Sequence, residues 1–501
     1  METNELTAIN PWFSGLTLWQ NSLTDWANYT KALGRYTQDF KAQSKHAGVL
    51  FRQVESVRAR GRTSAENQRL NSALSELCMD MFHVAMCASS KSIADFHTKQ
   101  YVRFVESLFR GDTVQFLNNQ SRALQKLADF DNEMEAIKAK YGFHFGDGNS
   151  RKCGETDRFE LYRIFPFVDG TTRYDLVNES LKPIIIIPPY VLGPNILCFL
   201  RDNGKSYVHS FANMGVPTYI RIVKPINTTQ AVARMTPEED CLDTKFFCEK
   251  IAARHKQKVT LNGYCQGGYL AVTHVLSGEL KDSVDAVMTC VAPMDGTFSR
   301  GLKKFLDNLP REFNDLLYGT VKVNGVEVAS GQLMSWVYKI KSLDNQAPVV
   351  AFYNDWKMME ASVNNGGKLS PTVPALNVWL RDGRVDIPMA ITKVSFQSYN
   401  IPITACGTLP VTLFGKKLNL NSFEKMGCRY AIFYAPDDDL VEPEVALASA
   451  KWATHVEALS GGHVKKATSP SQKVGGPERF HLSLTQTPPD LPLLSKSILR
   501  N

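Results

Sequence analysis

Cys265 is the residue whose surroundings most clearly indicate chemistry. It lies in the segment GYCQGG at 263–268, between a predicted strand over residues 259–261 and a predicted helix over 269–276. A sharp strand-to-helix turn brings neighbouring main chain close to the nucleophile, so small residues are needed on either side of it. The segment supplies three glycines: Gly263, Gly267 and Gly268. The pattern predicts a nucleophile elbow with cysteine in place of serine, although a bare string of this kind is as often only a buried cysteine in a glycine-rich turn.

An acid and a histidine follow Cys265 in the chain. A predicted strand over residues 430–435 ends in a run of three aspartates, and a second short strand over 456–459 leads into a glycine-rich loop that carries His463. The order nucleophile, acid, histidine, with each on a loop after a strand, is that of α/β-hydrolases. At least two of the three aspartates are expected to be solvated or to cap a helix: Asp437, Asp438 and Asp439.

Main-chain N–H groups near the elbow are expected to stabilise an oxyanion. The apolar run over 184–187 reads as a buried strand, and it ends in two prolines followed by Tyr190 and Val191. In this fold the loop after such a strand donates one N–H, and the residue after the nucleophile, here Gln266, donates the other. We therefore predict Gln266 with Tyr190 or Val191 as the oxyanion hole.

The elements around these residues predict two regions. Residues 1–142 have few Gly or Pro and show apolar residues at helical spacing, which predicts an N-terminal helical domain. A polar, Gly-rich stretch follows, and from residue 155 to 501 short β-branched runs alternate with helical patterns. That alternation is typical of a mostly parallel sheet flanked by helices, so the predicted class is α/β, with an α/β-hydrolase domain over 155–501.

Composition narrows the class of protein. The chain has 501 residues, 44% of them hydrophobic and 21% charged, which is ordinary for a globular protein. We expect a cytoplasmic protein without a transmembrane segment, because no signal sequence or long apolar run is evident. The net charge of +7 is mild for this length, and no nucleic-acid-binding motif is recognisable. No zinc-type cysteine pairs, P-loop or GxGxxG turn occurs, so neither a metal nor a bound cofactor is expected.

Several blocks together resemble the polyhydroxyalkanoate (PHA) synthase family. They are VTLNGYCQGGYLAVTHVLSG around Cys265, IIIIPPYVLGPNILCFL, NIPITACGTLPVTLFGKKLNL, APDDDLVEPE and LSGGHV. The resemblance covers residues from about 182 to about 464. The sequence departs from the family pattern at Leu440, where a His is common, and at Tyr190, where a Trp is common. Tyr269 is a further change near the elbow.

The resemblance implies specific roles. Cys265 would be the nucleophile, His463 the base and Asp439 the acid, since the family places its Asp four residues before a Pro, here Pro443. A cap would be inserted over about 298–427. The protein would be an acyltransferase that polymerises 3-hydroxyacyl-CoA into polyester with release of coenzyme A. It would form a homodimer and work in the cytoplasm or at the surface of polymer granules, which the N-terminal helical domain could help it to reach.

Two alternatives remain open at this stage. A cysteine α/β-hydrolase with the same site could act as a polyester depolymerase or an acyl-CoA thioesterase, with water as the acceptor. A degenerate member of the family could instead bind granules without catalysis. Four basic residues on loops could meet the phosphates of coenzyme A, although such residues are more often a solvated surface: Arg201, Lys205, Lys465 and Lys466.

Overall fold

The structure is a computed structural model, and it describes residues 11–364, 366, 369–470 and 475–485, with side chains from Ser22 onward. The N-terminal part forms the helices α1 (Pro11–Arg58), α2 (Ser64–Arg110), α3 (Thr113–Ala128) and α4 (Phe130–Lys138). The next part contains β1 (Ser150–Glu155), β2 (Phe159–Ile164), β3 (Phe167–Val168), β4 (Thr171–Thr172), β5 (Ile184–Ile187), α5 (Tyr207–Ala212), β6 (Thr218–Val223), α6 (Gln230–Ala233), α7 (Pro237–His255), β7 (Val259–Tyr264), α8 (Gln266–Leu276) and β8 (Val284–Cys290).

The second half of the chain continues the series. Its first part contains α9 (Leu302–Asn308), β9 (Thr320–Val323), β10 (Val326–Ala329), α10 (Gly331–Lys341), α11 (Leu343–Gln346), α12 (Pro348–Asn364), α13 (Thr372–Asp382), β11 (Ile387–Pro388) and α14 (Met389–Asn400). Its last part contains β12 (Thr408–Leu413), β13 (Lys416–Asn419), α15 (Ser422–Lys425), β14 (Arg429–Tyr434), α16 (Pro443–Leu447), β15 (His455–Ala458), α17 (Lys465–Thr468) and α18 (Pro477–Ser483).

The described residues divide into two compact units. Unit 1 comprises the described residues of 1–141, 191–193 and 300–392, and unit 2 comprises the described residues of 142–190, 194–299 and 393–501. This division differs from the predicted one, in which the N-terminal helices formed a domain of their own and the insertion ran to about residue 427. Long-range packing between distant parts of the chain decides such a grouping, and no local pattern reports it.

Unit 2 is built on a sheet of eight strands in the order β1-β2-β6-β5-β7-β8-β14-β15. The pairs from β6 to β15 are parallel, whereas β1 and β2 join the edge antiparallel. Every residue of β5 is fully buried, as expected for a central parallel strand covered on both faces. This sheet, crossed by α5, α7 and α8, is the α/β-hydrolase fold, and it confirms the predicted class.

Two helices begin with capping contacts that are encoded locally. Thr236 and Glu239 form a capping box at the start of α7, with Pro237 in the first turn. Thr63 and Glu66 form a second capping box, at the start of α2. These contacts depend only on residues three apart in the chain, and sequence reasoning therefore finds them reliably.

Unit 1 is mainly helical. Helix α12 packs against α1, α2 and α3, and α13 packs against α4. Aromatic side chains from three helices form its core: Tyr29, Phe96, Phe352, Tyr353 and Trp356. Because α12 belongs to the predicted insertion, the insertion and the N-terminal helices share this core. No helix among the described residues is both long enough and apolar enough to cross a bilayer.

Candidate active site

Cys265 occupies a strained turn between β7 and α8. Its backbone φ is 51° and its ψ is −125°, a combination that costs a non-glycine residue free energy and is held in place by the surrounding structure. The Cys265 N–H donates to the carbonyl oxygen of Cys290 at 2.8 Å, which ties the turn to the end of β8. The side chain is 7% exposed. The strand, the turn and the helix therefore present one thiol at the carboxyl edge of the sheet.

The glycines of the elbow are explained by close approaches of main chain. A Cβ atom on Gly263 would lie 2.3 Å from the carbonyl oxygen of Gly267, and one on Gly267 would lie 2.2 Å from the carbonyl oxygen of Ile187. A Cβ on Gly268 would lie 2.6 Å from that of Ala292. None of these distances is tolerable for a side chain. The sequence G-x-C-x-G-G is therefore required for β5, β7 and α8 to meet here.

His463 and Asp438 form a buried pair at the same edge of the sheet. The distance from Nδ1 of His463 to Oδ2 of Asp438 is 2.8 Å, and the other carboxylate oxygen accepts the main-chain N–H groups of Leu440 and Val441, each at 2.9 Å. These contacts fix both the carboxylate and the plane of the imidazole. The arrangement matches the acid and base that a nucleophile elbow requires.

The prediction of Asp439 as the acid is therefore wrong. Asp439 and Asp437 are exposed, whereas the side chain of Asp438 is fully buried. The turn after β14 folds back over the Asp438 carboxylate, and this geometry selects one of three adjacent aspartates. No sequence signal distinguishes the three aspartates, because main-chain N–H groups two and three positions further along the chain are present for each of them.

The electrostatic environment of His463 favours the protonated ring. Burial alone would lower its pKa, but the negative charges of Cys265 and Asp438 outweigh burial and raise the pKa to about 10. The opposite nitrogen, Nε2, is buried and makes no hydrogen bond of ordinary geometry with the described residues. Cys265 is close enough to the ring for its charge to raise the pKa of His463. A ring of this basicity can take a proton from a neighbouring thiol.

The loop that carries His463 is tethered to the elbow. The hydroxyl of Tyr264, the residue before Cys265, donates to the main-chain carbonyl of His463 at 2.7 Å, and both groups are buried. This contact was not predicted, since a tyrosine within a strand gives no sign of a partner 199 residues away. It fixes the main chain of the base relative to the nucleophile.

The predicted oxyanion donors have different surroundings. Helix α8 begins at Gln266, so the N–H of Gln266 lies at the positive end of that helix, next to Cys265. The N–H of Tyr190 donates to the side-chain oxygen Oε1 of Gln266 at 3.2 Å. The Nε2 group of Gln266 donates to the hydroxyl of Ser395 on α14 at 2.7 Å. Val191 belongs to unit 1, where its carbonyl oxygen accepts the N–H of Val385 at 3.3 Å.

The side chain of Tyr190 reaches a buried charged cluster that the sequence did not reveal. Arg221 and Asp240 form an ion pair with side chains 2% and 0% exposed, and Nε2 of His274 lies 3.6 Å from Asp240. Burial first, and then the charge of Asp240, raise the pKa of Tyr190 well above its usual value. Burial lowers the pKa of His274 to about 4, so this ring is neutral near pH 7. The charges of Asp240 and Arg221 are thus close enough to act on the Tyr190 side chain.

The four basic residues considered for coenzyme A have mixed surroundings. Lys466 is buried and pairs with Glu478 at 2.8 Å, so it is not available to a ligand. Arg201 pairs with Asp147 and Asp202. Lys465 is exposed, and Lys205 is partly buried, with a pKa lowered by burial and by the charge of Lys465. Among the residues the structure describes, no group of His, Cys, Asp and Glu could hold a metal ion.

Comparisons with known proteins return only distant likenesses. No protein-family model matches the chain, and no curated protein matches it. One similar solved structure is an α/β-hydrolase enzyme from the metagenome of sediments of the Mar Chica lagoon in Morocco. It is 13% identical in sequence, the match covers 67% of this chain and 95% of that one, and the TM-score is 0.29. Others are the esterase RhEst1 from a Rhodococcus species, at 11% identity over 67% and 97% with a TM-score of 0.32, and an α/β-hydrolase fold protein from Chitinophaga pinensis, at 10% identity over 68% and 96% with a TM-score of 0.33.

The strand order and the strand-elbow-helix unit of this chain define the α/β-hydrolase fold. Likeness at these identities and TM-scores says nothing about the substrate or the reaction.

Proposed function

We propose that the protein is an acyltransferase of the PHA synthase type, which transfers 3-hydroxyacyl groups from coenzyme A to a growing polyester through Cys265. The observation that carries the proposal is a thiol at the elbow, where hydrolases of this fold usually have serine, together with the buried pair of His463 and Asp438. The resemblance of the sequence blocks to PHA synthases supports the same reaction.

In the first half-reaction His463 takes the proton of the Cys265 thiol, and the thiolate attacks the carbonyl carbon of the thioester. The N–H groups of Gln266 and Tyr190 stabilise the oxyanion that forms. The bond between the carbonyl carbon and the sulfur of coenzyme A then breaks, and the departing thiolate receives the proton from His463. The acyl group remains on Cys265 as a thioester.

In the second half-reaction the hydroxyl of another hydroxyacyl group gives its proton to His463, and its oxygen attacks the acyl-enzyme. The bond to the Cys265 sulfur breaks, an ester bond forms, and the sulfur recovers a proton from His463. A cysteine suits this chemistry because exchange between two thioesters is nearly balanced in energy, and the acyl-enzyme stays reactive towards an alcohol.

The test is incubation of the purified protein with 3-hydroxybutyryl-CoA, with a Cys265→Ala variant as the control. Released thiol is followed over time, and the products are analysed by mass spectrometry. Thiol release that depends on Cys265 and yields oligomeric esters supports the synthase. Release that yields only free hydroxy acid would identify a hydrolase with the same site, and no release from thioesters of several chain lengths would contradict an acyl-transfer function.

A further inference from the structure

The side chain of Gln266 bridges two other parts of unit 2. Its oxygen Oε1 accepts the main-chain N–H of Tyr190 at 3.2 Å, and its nitrogen Nε2 donates to the hydroxyl oxygen of Ser395 at 2.7 Å. Gln266 is 7% exposed, so these bonds form away from bulk water. A loop after β5, the elbow and helix α14 are thereby joined by one carboxamide.

The bridge has a consequence for the oxyanion hole. A main-chain N–H has a single proton and serves one well-aligned acceptor at a time. While the Gln266 oxygen holds the proton of the Tyr190 N–H, the oxygen of a bound acyl group cannot receive it. A substrate must therefore displace the carboxamide oxygen before this donor can act.

Ser395 anchors the end of the carboxamide that does not face Tyr190. An amide group can be turned by half a rotation, and its two ends differ only in whether they donate or accept. The N–H of Tyr190 can only donate and so selects Oε1, and the hydroxyl of Ser395, which can also accept, receives the N–H of Nε2 and holds the group in that orientation. With the opposite orientation, two donors would face each other at Tyr190.

We propose that the Gln266 carboxamide oxygen is an internal stand-in for the substrate oxyanion, and that Ser395 is the positioning residue that holds it there. The N–H of Tyr190 is thus satisfied and correctly directed before substrate arrives, and substrate binding exchanges one acceptor for another. This inference rests on the proposed acyl transfer for its kinetic consequence, and it stands on the hydrogen bonds alone for its structural one.

The kinetic test compares Ser395→Ala with the wild type in coenzyme A release from 3-hydroxybutyryl-CoA. Without the bond to Ser395, the substrate oxygen displaces the Gln266 carboxamide oxygen more easily. We therefore expect kcat/KM to rise by about two- to tenfold, which corresponds to the free energy of one hydrogen bond. Ser395→Thr, which keeps the hydroxyl, should remain close to the wild type. A fall of kcat/KM in Ser395→Ala, or no change, would overturn the proposal, because a residue that only supports the fold lowers activity when removed.

A second readout does not depend on turnover. Amide hydrogen exchange of the peptide that contains Tyr190 is measured in the wild type, in Ser395→Ala and in Ser398→Ala. Ser398 lies one turn further along α14 and donates to the main-chain carbonyl of Ser395, so it is a matched control. We expect faster exchange only in Ser395→Ala, and equal exchange in all three proteins would overturn the proposal. If the wild type released no coenzyme A, the proposed function would fail while this result still decided whether Ser395 holds the bridge.

Discussion

Nδ1 of His463 lies 2.8 Å from Oδ2 of Asp438, and both side chains are almost completely buried. The pair orients the imidazole and leaves Nε2 as the ring nitrogen that would serve the proposed acyl transfer. The negative charge of the Asp438 carboxylate also stabilises the protonated form of the His463 ring. The behaviour expected of the site follows largely from this contact.

Substitutions of Asp438 and of its neighbour Asp439 distinguish the roles of the two aspartates. We expect Asp438→Asn to lower kcat by about 10³- to 10⁴-fold, the order of loss typical when the carboxylate behind a catalytic histidine is removed. Asp439→Asn, one residue away and exposed, should change kcat little. Steady-state release of coenzyme A measures both, and equal effects of the two variants would contradict the assignment of Asp438.

The pKa of His463 predicts a pH dependence of stability. Its folded value of about 10 lies above the ordinary value of 6.5, so its stabilisation is fully present below about pH 6.5 and is lost as the pH rises towards 10. The unfolding temperature of the wild type should therefore fall towards that of His463→Gln across this range. Differential scanning calorimetry of both proteins tests this, and a difference that stays constant with pH would refute it.

The elbow glycines should not tolerate a methyl group. Gly267→Ala would place its Cβ 2.2 Å from a main-chain oxygen that cannot move aside, so we expect destabilisation of about 3 kcal/mol or more, or failure to fold. Gly34→Ala, within α1 and with no atom within 4 Å, should be neutral or stabilising by about 0.5–1 kcal/mol. Thermal unfolding measures the contrast, and similar stabilities would show that the elbow is looser than described.

Disruption of the buried ion pair between Arg221 and Asp240 is expected to lower the free energy of unfolding strongly. Asp240→Ala leaves the buried guanidinium of Arg221 without its partner, and removal of one member of such a pair costs about 3–5 kcal/mol. The pair of Arg173 and Asp175 is the control, because it is exposed and Asp175→Ala should hardly change stability. Chemical denaturation of the two variants tests this, and a small effect of Asp240→Ala would mean that water replaces the lost partner.

The elbow could be predicted because its causes are local. The strand before Cys265, the glycines around it and the helix after it can all be recognised within one segment of about twenty residues. The strained φ at Cys265 is what such a strand-glycine-helix segment requires. The position of His463 after β15 follows in the same way from a short strand and a glycine-rich loop.

Features that depend on distant contacts could not be predicted. The choice of Asp438 depends on how the turn folds over the carboxylate, and spacing from Pro443 pointed one residue too far. The bonds from Gln266 to Ser395 and from Tyr264 to His463 join residues 129 and 199 positions apart. The grouping of the inserted helices with the N-terminal ones is likewise a property of the packed core.

Asp438 and His463 are both held by contacts with main-chain groups. Asp438 is bound by the N–H groups of Leu440 and Val441, and His463 is tethered through its carbonyl oxygen. Every amino acid except proline offers the same N–H, and every amino acid offers the same carbonyl. As far as the carboxylate is concerned, the side chains at 440 and 441 are therefore free to differ, and only a proline at either position would remove one of its two donors.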